Sequence, residues 1–452
     1  MSKVAQSLRD EILSAGMWRL MAKLTPVSVL AMSINSINTF VDGLYIGQFL
    51  GENALAAVSL AFPLSFLSNS LAAMLGVGGS SVLSIAIGAN DDSKQKKVFV
   101  SVAILSIICS ILLAAIGYIF AEEMIAAIGG RGEILEMGAS YFRILILASF
   151  FQIFSVSTNM LIRAEGKVNT AMSMGMIAVF VNMIANPIFL GYFDMGIEGA
   201  AYATVLSMVV FTLLDLRYFL RRRASYQVDL AYRKLEKSMV QPILQVGVSA
   251  MMLQLMFILH QIVVYKMIEQ YGGDRDIAFM GACYRVMLLM LVPGFGFSTA
   301  MQPVAGINYG ANQLTRVKRA FWTFASGSTL VTTTLLIIFV TSPRMVLQLM
   351  LPDLEITPDD IFNFRLMMSP GFIFPFFIVG MVMFQAIGSA RTAGIVLVLR
   401  EIVFFVPFVI LLPQFFGLTG IYAAGIFQNT LVGLVAAYVL YRTFNQWSKK
   451  VA

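Results

Sequence analysis

Gly88-Ala89-Asn90 returns as Gly310-Ala311-Asn312, and Arg163-Ala164-Glu165-Gly166, followed by Thr170-Ala171, returns as Gln385-Ala386-Ile387-Gly388, followed by Thr392-Ala393. Both pairs stand 222 residues apart (310 minus 88, 385 minus 163), and Gly196-x-x-Gly199 stands 221 residues before Gly417-x-x-Gly420. Chance matches would not share an offset, so the chain reads as a duplicated unit. Around these markers the sequence is 59% hydrophobic and 12% charged over 452 residues, with a mean hydropathy of +0.83. A soluble domain carries about 25% charged residues, so a polytopic membrane protein is expected.

Cutting the apolar pattern at charge clusters and at Gly, Pro and Asn gives twelve spans. They run at 17–47, 54–88, 95–120, 134–162, 168–191 and 197–220, then at 239–270, 277–309, 316–341, 361–387, 392–415 and 418–443. The expected fold is therefore an all-α membrane protein. Residues 1–221 form an N-terminal six-helix lobe, 222–238 a cytoplasmic linker and 239–452 a C-terminal six-helix lobe. An even number of spans per half makes both halves enter from the same side, so they are related by a pseudo-twofold axis along the membrane normal. Such pairs of bundles enclose a central cavity and work by alternating access.

Alternate loops carry the basic residues: Lys94, Lys96 and Lys97; Arg163 and Lys167; Arg221 to Lys237, including Arg233; Arg316, Lys318 and Arg319; and Arg391. The opposite loops carry more acids, among them Glu122, Glu123, Asp194 and Asp353. Lys and Arg accumulate on the cytoplasmic side, which places both termini in the cytoplasm of a cell-membrane protein. The polar start Met1 to Glu11 lacks a cleavable signal pattern, so the first span is expected to be retained. The net charge of +7 is absorbed by this topology, and no nucleic-acid partner follows from it. Two isolated cysteines, Cys109 and Cys283, and a single histidine, His260, supply neither a disulfide framework nor a multi-histidine metal site. No nucleotide-binding loop is present, so the chain is not expected to be an enzyme or to carry a cofactor, and an ion gradient would have to drive active transport.

Asn35, Asn38 and Asp42 recur at spacings of three and four and so share one face of the first helix. A carboxylate at bilayer depth costs roughly 2.5 to 3.5 kcal/mol and by default marks function; a place near the outer end of the helix, reaching water, is the plainer alternative. Asn182 and Asn186 share a face of the fifth helix, with Asn159 on the fourth and Thr204 on the sixth. By an offset of 220, Asn186 and Asn182 meet Val406 and Ile402 in the second half. An asymmetric polar cluster in a symmetric scaffold suggests a site, although helix-to-helix hydrogen bonding also uses Asn and Thr. In the C-terminal half Gln254, His260, Gln261 and Glu401 are the polar outliers and join Asn35 and Asn38 as candidates for lining a cavity. Glu401 reads equally as a second proton carrier, a contact for a cationic substrate, or a structural partner of Arg400.

The chain resembles the multidrug and toxic compound extrusion (MATE) family, and most closely its bacterial branch of MepA-like and DinF-like exporters. The resemblance is carried by Pro26 through Val41-Asp42 and Gly47, Leu55-Ala56-Ala57-Val58-Ser59, Leu161-Ile162-Arg163-Ala164-Glu165-Gly166, Asn186-Pro187-Ile188-Phe189 and Gly199-Ala200-Ala201-Tyr202-Ala203-Thr204. Gln302-Pro303-x-x-Gly306-x-Asn308-Tyr309-Gly310-Ala311 completes it. The resemblance implies an antiporter that exchanges H+ or Na+ for organic, mostly cationic amphiphiles. It also implies an N-lobe cation site at Asp42, Asn182, Asn186 and Thr204 with Asn159 nearby, where Na+ could bind. The position of Asn186 is often aspartate in the family, which leaves one carboxylate here where some relatives have two. A desolvated lone carboxylate is a usable proton carrier. The expected partners are a small drug-like cation and membrane lipid, and the expected state is a monomer. A lipid or polyprenyl-linked precursor flippase of the wider superfamily and a non-transporting scaffold or receptor are the alternatives.

Overall fold

The computed structural model describes residues 3–229, 231–232, 234–351 and 354–451. Arg233 and Asp353, counted above among the loop charges, lie outside the described residues. The fold is nearly all helical, without a strand among the described residues. Ten helices are long and apolar enough to cross a membrane, and two further pairs, bent by 50° and 40°, bring the number to twelve if each pair is one span.

Numbered as spans, these are α1 (Met17–Leu50), α2 (Glu52–Gly88), α3 (Asp92–Ile119), α4 (Gly132–Leu147 with Ser149–Ala164), α5 (Val168–Pro187) and α6 (Gly196–Leu220). The second set is α7 (Lys237–Tyr271), α8 (Asp274–Gly310), α9 (Leu314–Thr341), α10 (Pro358–Met368 with Phe374–Ala386), α11 (Ala390–Val398, continued by Val406–Phe416) and α12 (Leu418–Val451). The bends of α4 and α10 fall inside stretches that the hydropathy pattern reads as straight. In α10 a 3-10 turn, Ser369–Phe372, contains Pro370 and is followed by Pro375, where missing amide donors and ring clashes interrupt the α ladder.

The repeated motifs turn out to mark helix boundaries. Asn90 and Asn312 have φ of 56° and 62°, Gly166 and Gly388 of 90° and 77°, and Gly196 and Gly417 of 59° and 56°. Each repeated pair thus places a left-handed residue at a helix boundary, where asparagine and glycine are the residues that adopt it at least cost. After α2 the Asp91 amide reaches back to the Ala86 carbonyl, and after α8 the Gln313 amide reaches the Asn308 carbonyl, each at 2.9 Å.

By its contacts the chain divides into two compact units: Met1–Ser14 with Leu30–Met251, and Ala15–Val29 with Met252–Ala452. In the first, a core of Ala54, Ala57, Ala61, Ile125, Phe142 and Ile146 packs beneath Leu190 and Ala200. Its segment 221–236 is tied down at Ser225, Asp229 and Glu236. The Ser225 amide and the Tyr218 hydroxyl donate to Glu165, Asp229 donates its amide to the Lys96 carbonyl at 3.0 Å, and Glu236 pairs with Lys97 at 2.8 Å. Burial pushes the Glu165 carboxyl up from its usual range, whereas the Lys97 hydrogen bond holds the Glu236 carboxyl down.

The beginning of α7 belongs to the same unit and meets α2 backbone to backbone. A Cβ on Gly78 would stand 1.9 Å from the Ile243 carbonyl oxygen, and one on Gly247 would stand 2.0 Å from that of Met74. Neither carbonyl can move away alone, so Gly247→Ala is expected to cost about 1 to 3 kcal/mol, the usual range for overpacking. Melting of the purified protein measures this. Gly425→Ala, where the added Cβ meets nothing within 4 Å, serves as the control and should leave the transition in place. The second unit has its own core, built on Ile268, Phe279, Cys283, Met290, Phe364 and Met368.

Candidate functional site

Three helices of the first unit bring their polar faces together. From α1, Asp42 and Asn38 are one turn apart, and Asn38 Nδ2 donates to Asp42 Oδ2 at 3.2 Å. From α5, Asn186 Nδ2 donates to Asp42 Oδ1 at 2.7 Å. From α6, Thr204 anchors its hydroxyl on the Ala200 carbonyl at 3.1 Å and stands 3.4 Å from Asn182 Nδ2. The local sequence explains why α5 presents its asparagines here. Pro187 cannot continue the α ladder, and the chain passes into a π turn, Ile188–Tyr192, directly after the site; such turns often sit at functional positions.

The donors around Asp42 are neutral amides. Asn182 and Asn186 are 3% and 2% exposed, and Asn186 Oδ1 is buried without a hydrogen-bond partner. The Asn182 amide is decided by its network rather than by its shape. With oxygen inward, it accepts from Asn38 Nδ2 at 3.0 Å. With nitrogen inward, it donates to Asp42 Oδ1 at 2.8 Å. One orientation thus turns an extra oxygen toward the carboxylate, and the other gives the carboxylate a further hydrogen-bond donor. Together with the orphan Asn186 oxygen, this gives an oxygen-rich donor set of the kind hard cations take. Asp42 Oδ1 and Oδ2, Asn182 Oδ1, Asn186 Oδ1 and Thr204 Oγ1 are the atoms that could hold Na+.

The other candidates are placed differently. Asn35 shares the face of Asp42 but is exposed. Asn159 bonds elsewhere: its amide donates to the Ala171 carbonyl at 3.1 Å and to Asp215 Oδ1 at 3.4 Å. Asp215, 0% exposed, also accepts from the Thr158 hydroxyl at 3.1 Å, and the buried Arg163 lies within electrostatic range. Sequence reasoning passed over Asp215, although it is the one acid in the interior of the sixth apolar span, Glu198 standing at its start, and that isolation is a signal. It also passed over Tyr141, buried beside Thr204, for which hydropathy gives no sign.

In the second unit His260 and Glu401 do meet. His260 Nδ1 is 3.1 Å from Glu401 Oε2, and its ring stacks on Phe405 at 3.8 Å. Glu401 Oε1 pairs with Arg400 Nη1 at 2.7 Å, and the Arg400 guanidinium lies over Phe374 and Phe377. Arg400, Glu401 and Phe405 fall within a π segment, Leu399–Phe405, next to Pro407, whose ring would meet the Val403 carbonyl of an α-helix. Gln254 and Gln261 are half-buried on α7. With both its oxygens engaged, Glu401 is expected to be a stability residue: Glu401→Gln leaves the Arg400 charge without its partner, at a cost of up to about 3 to 5 kcal/mol. A variant that melts like the wild type but loses transport of a dication would assign Glu401 to substrate instead.

The MatE family pattern matches residues 28–188 and 249–411. The chain is 28% identical over 309 residues to the probable multidrug resistance protein YoeA of Bacillus subtilis, covering 67% of this chain and 66% of that protein. It is 25% identical over 423 residues to the multidrug export protein MepA of Staphylococcus aureus, covering 91% and 92%. Among solved structures, an outward-facing multidrug resistance MATE family transporter of the MOP superfamily superposes with a TM-score of 0.91 at 26% identity, over 97% of this chain and 98% of that one. With two stretches matched across more than half its length and a common fold throughout, this multi-pass membrane protein belongs to the MatE family of transporters.

Proposed function

We propose that the chain is a cation-coupled antiporter that exports organic, mostly cationic amphiphiles by alternating access. The observation that carries this reading is the Asp42 cluster, a carboxylate held by neutral amides beside a buried oxygen that lacks a partner. Such a site can exchange a counter-cation without breaking a salt bridge, which an exchanger must do in each cycle. The coupling ion is H+ or Na+. The lone carboxylate suits a proton, and neutral oxygens hold Na+ weakly until a second negative charge joins them.

The multidrug relatives YoeA and MepA support the substrate class, and the basic loops support a topology with both termini in the cytoplasm of a bacterial cell. The proposed working unit is a monomer, since one chain holds every residue of the cluster. The test is ethidium transport into inverted vesicles, with a pH gradient and a Na+ gradient imposed separately. Transport that proceeds equally with neither gradient would remove coupling from the proposal.

A further inference from the structure

In the second unit, α9 and the Phe374–Ala386 part of α10 leave a groove of about 480 Å3 lined by Trp322, Ser326, Thr329, Leu330, Thr333 and Phe376. Trp322, Ser326, Thr329 and Thr333 are spaced by four, three and four, so they form one stripe along α9. The stripe is open to the outside: Trp322 is 48% and Leu330 70% exposed. From Trp322 to Thr333 the helix rises about 16 Å at about 1.5 Å per residue, roughly half of a hydrocarbon core of about 30 Å. The groove therefore has the length of one leaflet. Trp322, with its ring 5.9 Å from that of Phe376, closes the end toward the start of α9, and tryptophan is a residue that favours the headgroup level of a bilayer.

Beyond that end lie two exposed cations. Arg319 precedes Trp322 by three residues and Lys318 by four, which puts both over the same stripe. The adjacent Arg316 is engaged, donating to Asn308 Oδ1 at 2.9 Å and to the Ala15 carbonyl at 2.7 Å. Lys318 lies over the Phe444 ring at 5.6 Å and Arg319 is exposed; neither forms an ion pair among the described residues. The sequence supplies no counter-charge locally, because no Asp or Glu occurs between Asp276 and Asp353. An apolar groove one leaflet long, with uncompensated positive charge at its headgroup end, matches a single kind of occupant.

We propose that this groove holds one acyl chain of an anionic phospholipid whose phosphate is held by Arg319 and Lys318. The lipid belongs to the leaflet on the Arg319 side, the cytoplasmic one in the proposed topology. Its negative headgroup supplies the charge that the loop lacks, and its chain covers a surface that the protein's own helices leave open.

The test uses the full chain with Trp18→Phe and Trp447→Phe, which leaves Trp322 as the only tryptophan. The protein is placed in phosphatidylcholine vesicles that contain small fractions of brominated phosphatidylglycerol or, separately, brominated phosphatidylcholine. Quenching of Trp322 is expected at a roughly thirtyfold lower fraction of the anionic lipid, since two basic residues near an anionic surface contribute about 1 kcal/mol each and about 1.4 kcal/mol is a factor of ten. Lys318→Gln with Arg319→Gln should abolish that preference while the quenching by phosphatidylcholine stays. Should that pair fail to fold, Thr329→Phe, which fills the groove and keeps both cations, must lose the preferential quenching instead. Equal quenching by the two lipids overturns the proposal in favour of ordinary annular contact. Displacement of the bound lipid by ethidium overturns it in favour of a substrate groove.

Discussion

Asp42→Asn is expected to reduce coupled export to the background of an empty membrane while the protein still inserts and folds. The substitution keeps the volume and leaves an acceptor oxygen for Asn186 Nδ2, which now reaches Asp42 Oδ1 at 2.7 Å. The altered hydrogen bonds are therefore worth only about 1 kcal/mol of stability. What disappears is the one negative charge of the cluster, and with it any reason for a cation to bind. Measured as ethidium transport in inverted vesicles and normalised to expression, the variant should fail with either gradient. A well-expressed variant that transports at the wild-type rate would sink the coupling role of Asp42.

Asn186→Asp should produce the opposite kind of change, a gain of sodium dependence. The new carboxylate would stand within hydrogen-bond distance of Asp42, and two carboxylates so close cannot both stay charged unless a cation lies between them. Na+ would then be held by two charges and by the Asn182 and Thr204 oxygens, a better donor set than the single carboxylate gives. Because a ligand of the folded state stabilises it by mass action, Na+ at 100 times its dissociation constant should add about 2.7 kcal/mol. The checks are the rise in melting temperature when Na+ replaces a bulky cation, and the Na+ requirement of transport. A wild type that already transports with Na+ alone, indifferent to pH, would reverse the assignment of the proton. A variant without any sodium response would show that the pocket lacks room for the ion.

The sequence revealed what repeats or recurs along one helix. The three repeated motifs, found by offset alone, hold the left-handed boundary residues Asn90 and Asn312, Gly166 and Gly388, and Gly196 and Gly417. They were visible because few residue types adopt positive φ cheaply. Spacing likewise put Asn38 with Asp42, and Asn182 with Asn186, on common faces. Which face meets which is a matter of packing between helices, so the joining of α1, α5 and α6 came from family resemblance. Spacing also overreached. Asn35 lies seven residues from Asp42, about 10 Å along the axis at about 1.5 Å per residue, and the cluster is only one turn deep. Asn159 faces Asp215 because the sixth helix carries a buried acid there, and no pattern within the fourth helix could show that. The bend of α4 has no proline or glycine to announce it between Leu145 and Phe150.

The backbone contact of Gly78 and Gly247 bears on how the protein is made. Chains emerge from the ribosome in order, and early domains ordinarily finish folding first. Here the first unit is still incomplete when its sixth span has been inserted, since Ile243 and Gly247 belong to the next helix. The second unit waits in the other direction: Gly296 and Gly327 pack against Val29 and Met21, which were synthesised long before them. Each half is thus finished by a segment encoded next to the other, and the nascent membrane protein must hold two half-helices in reserve.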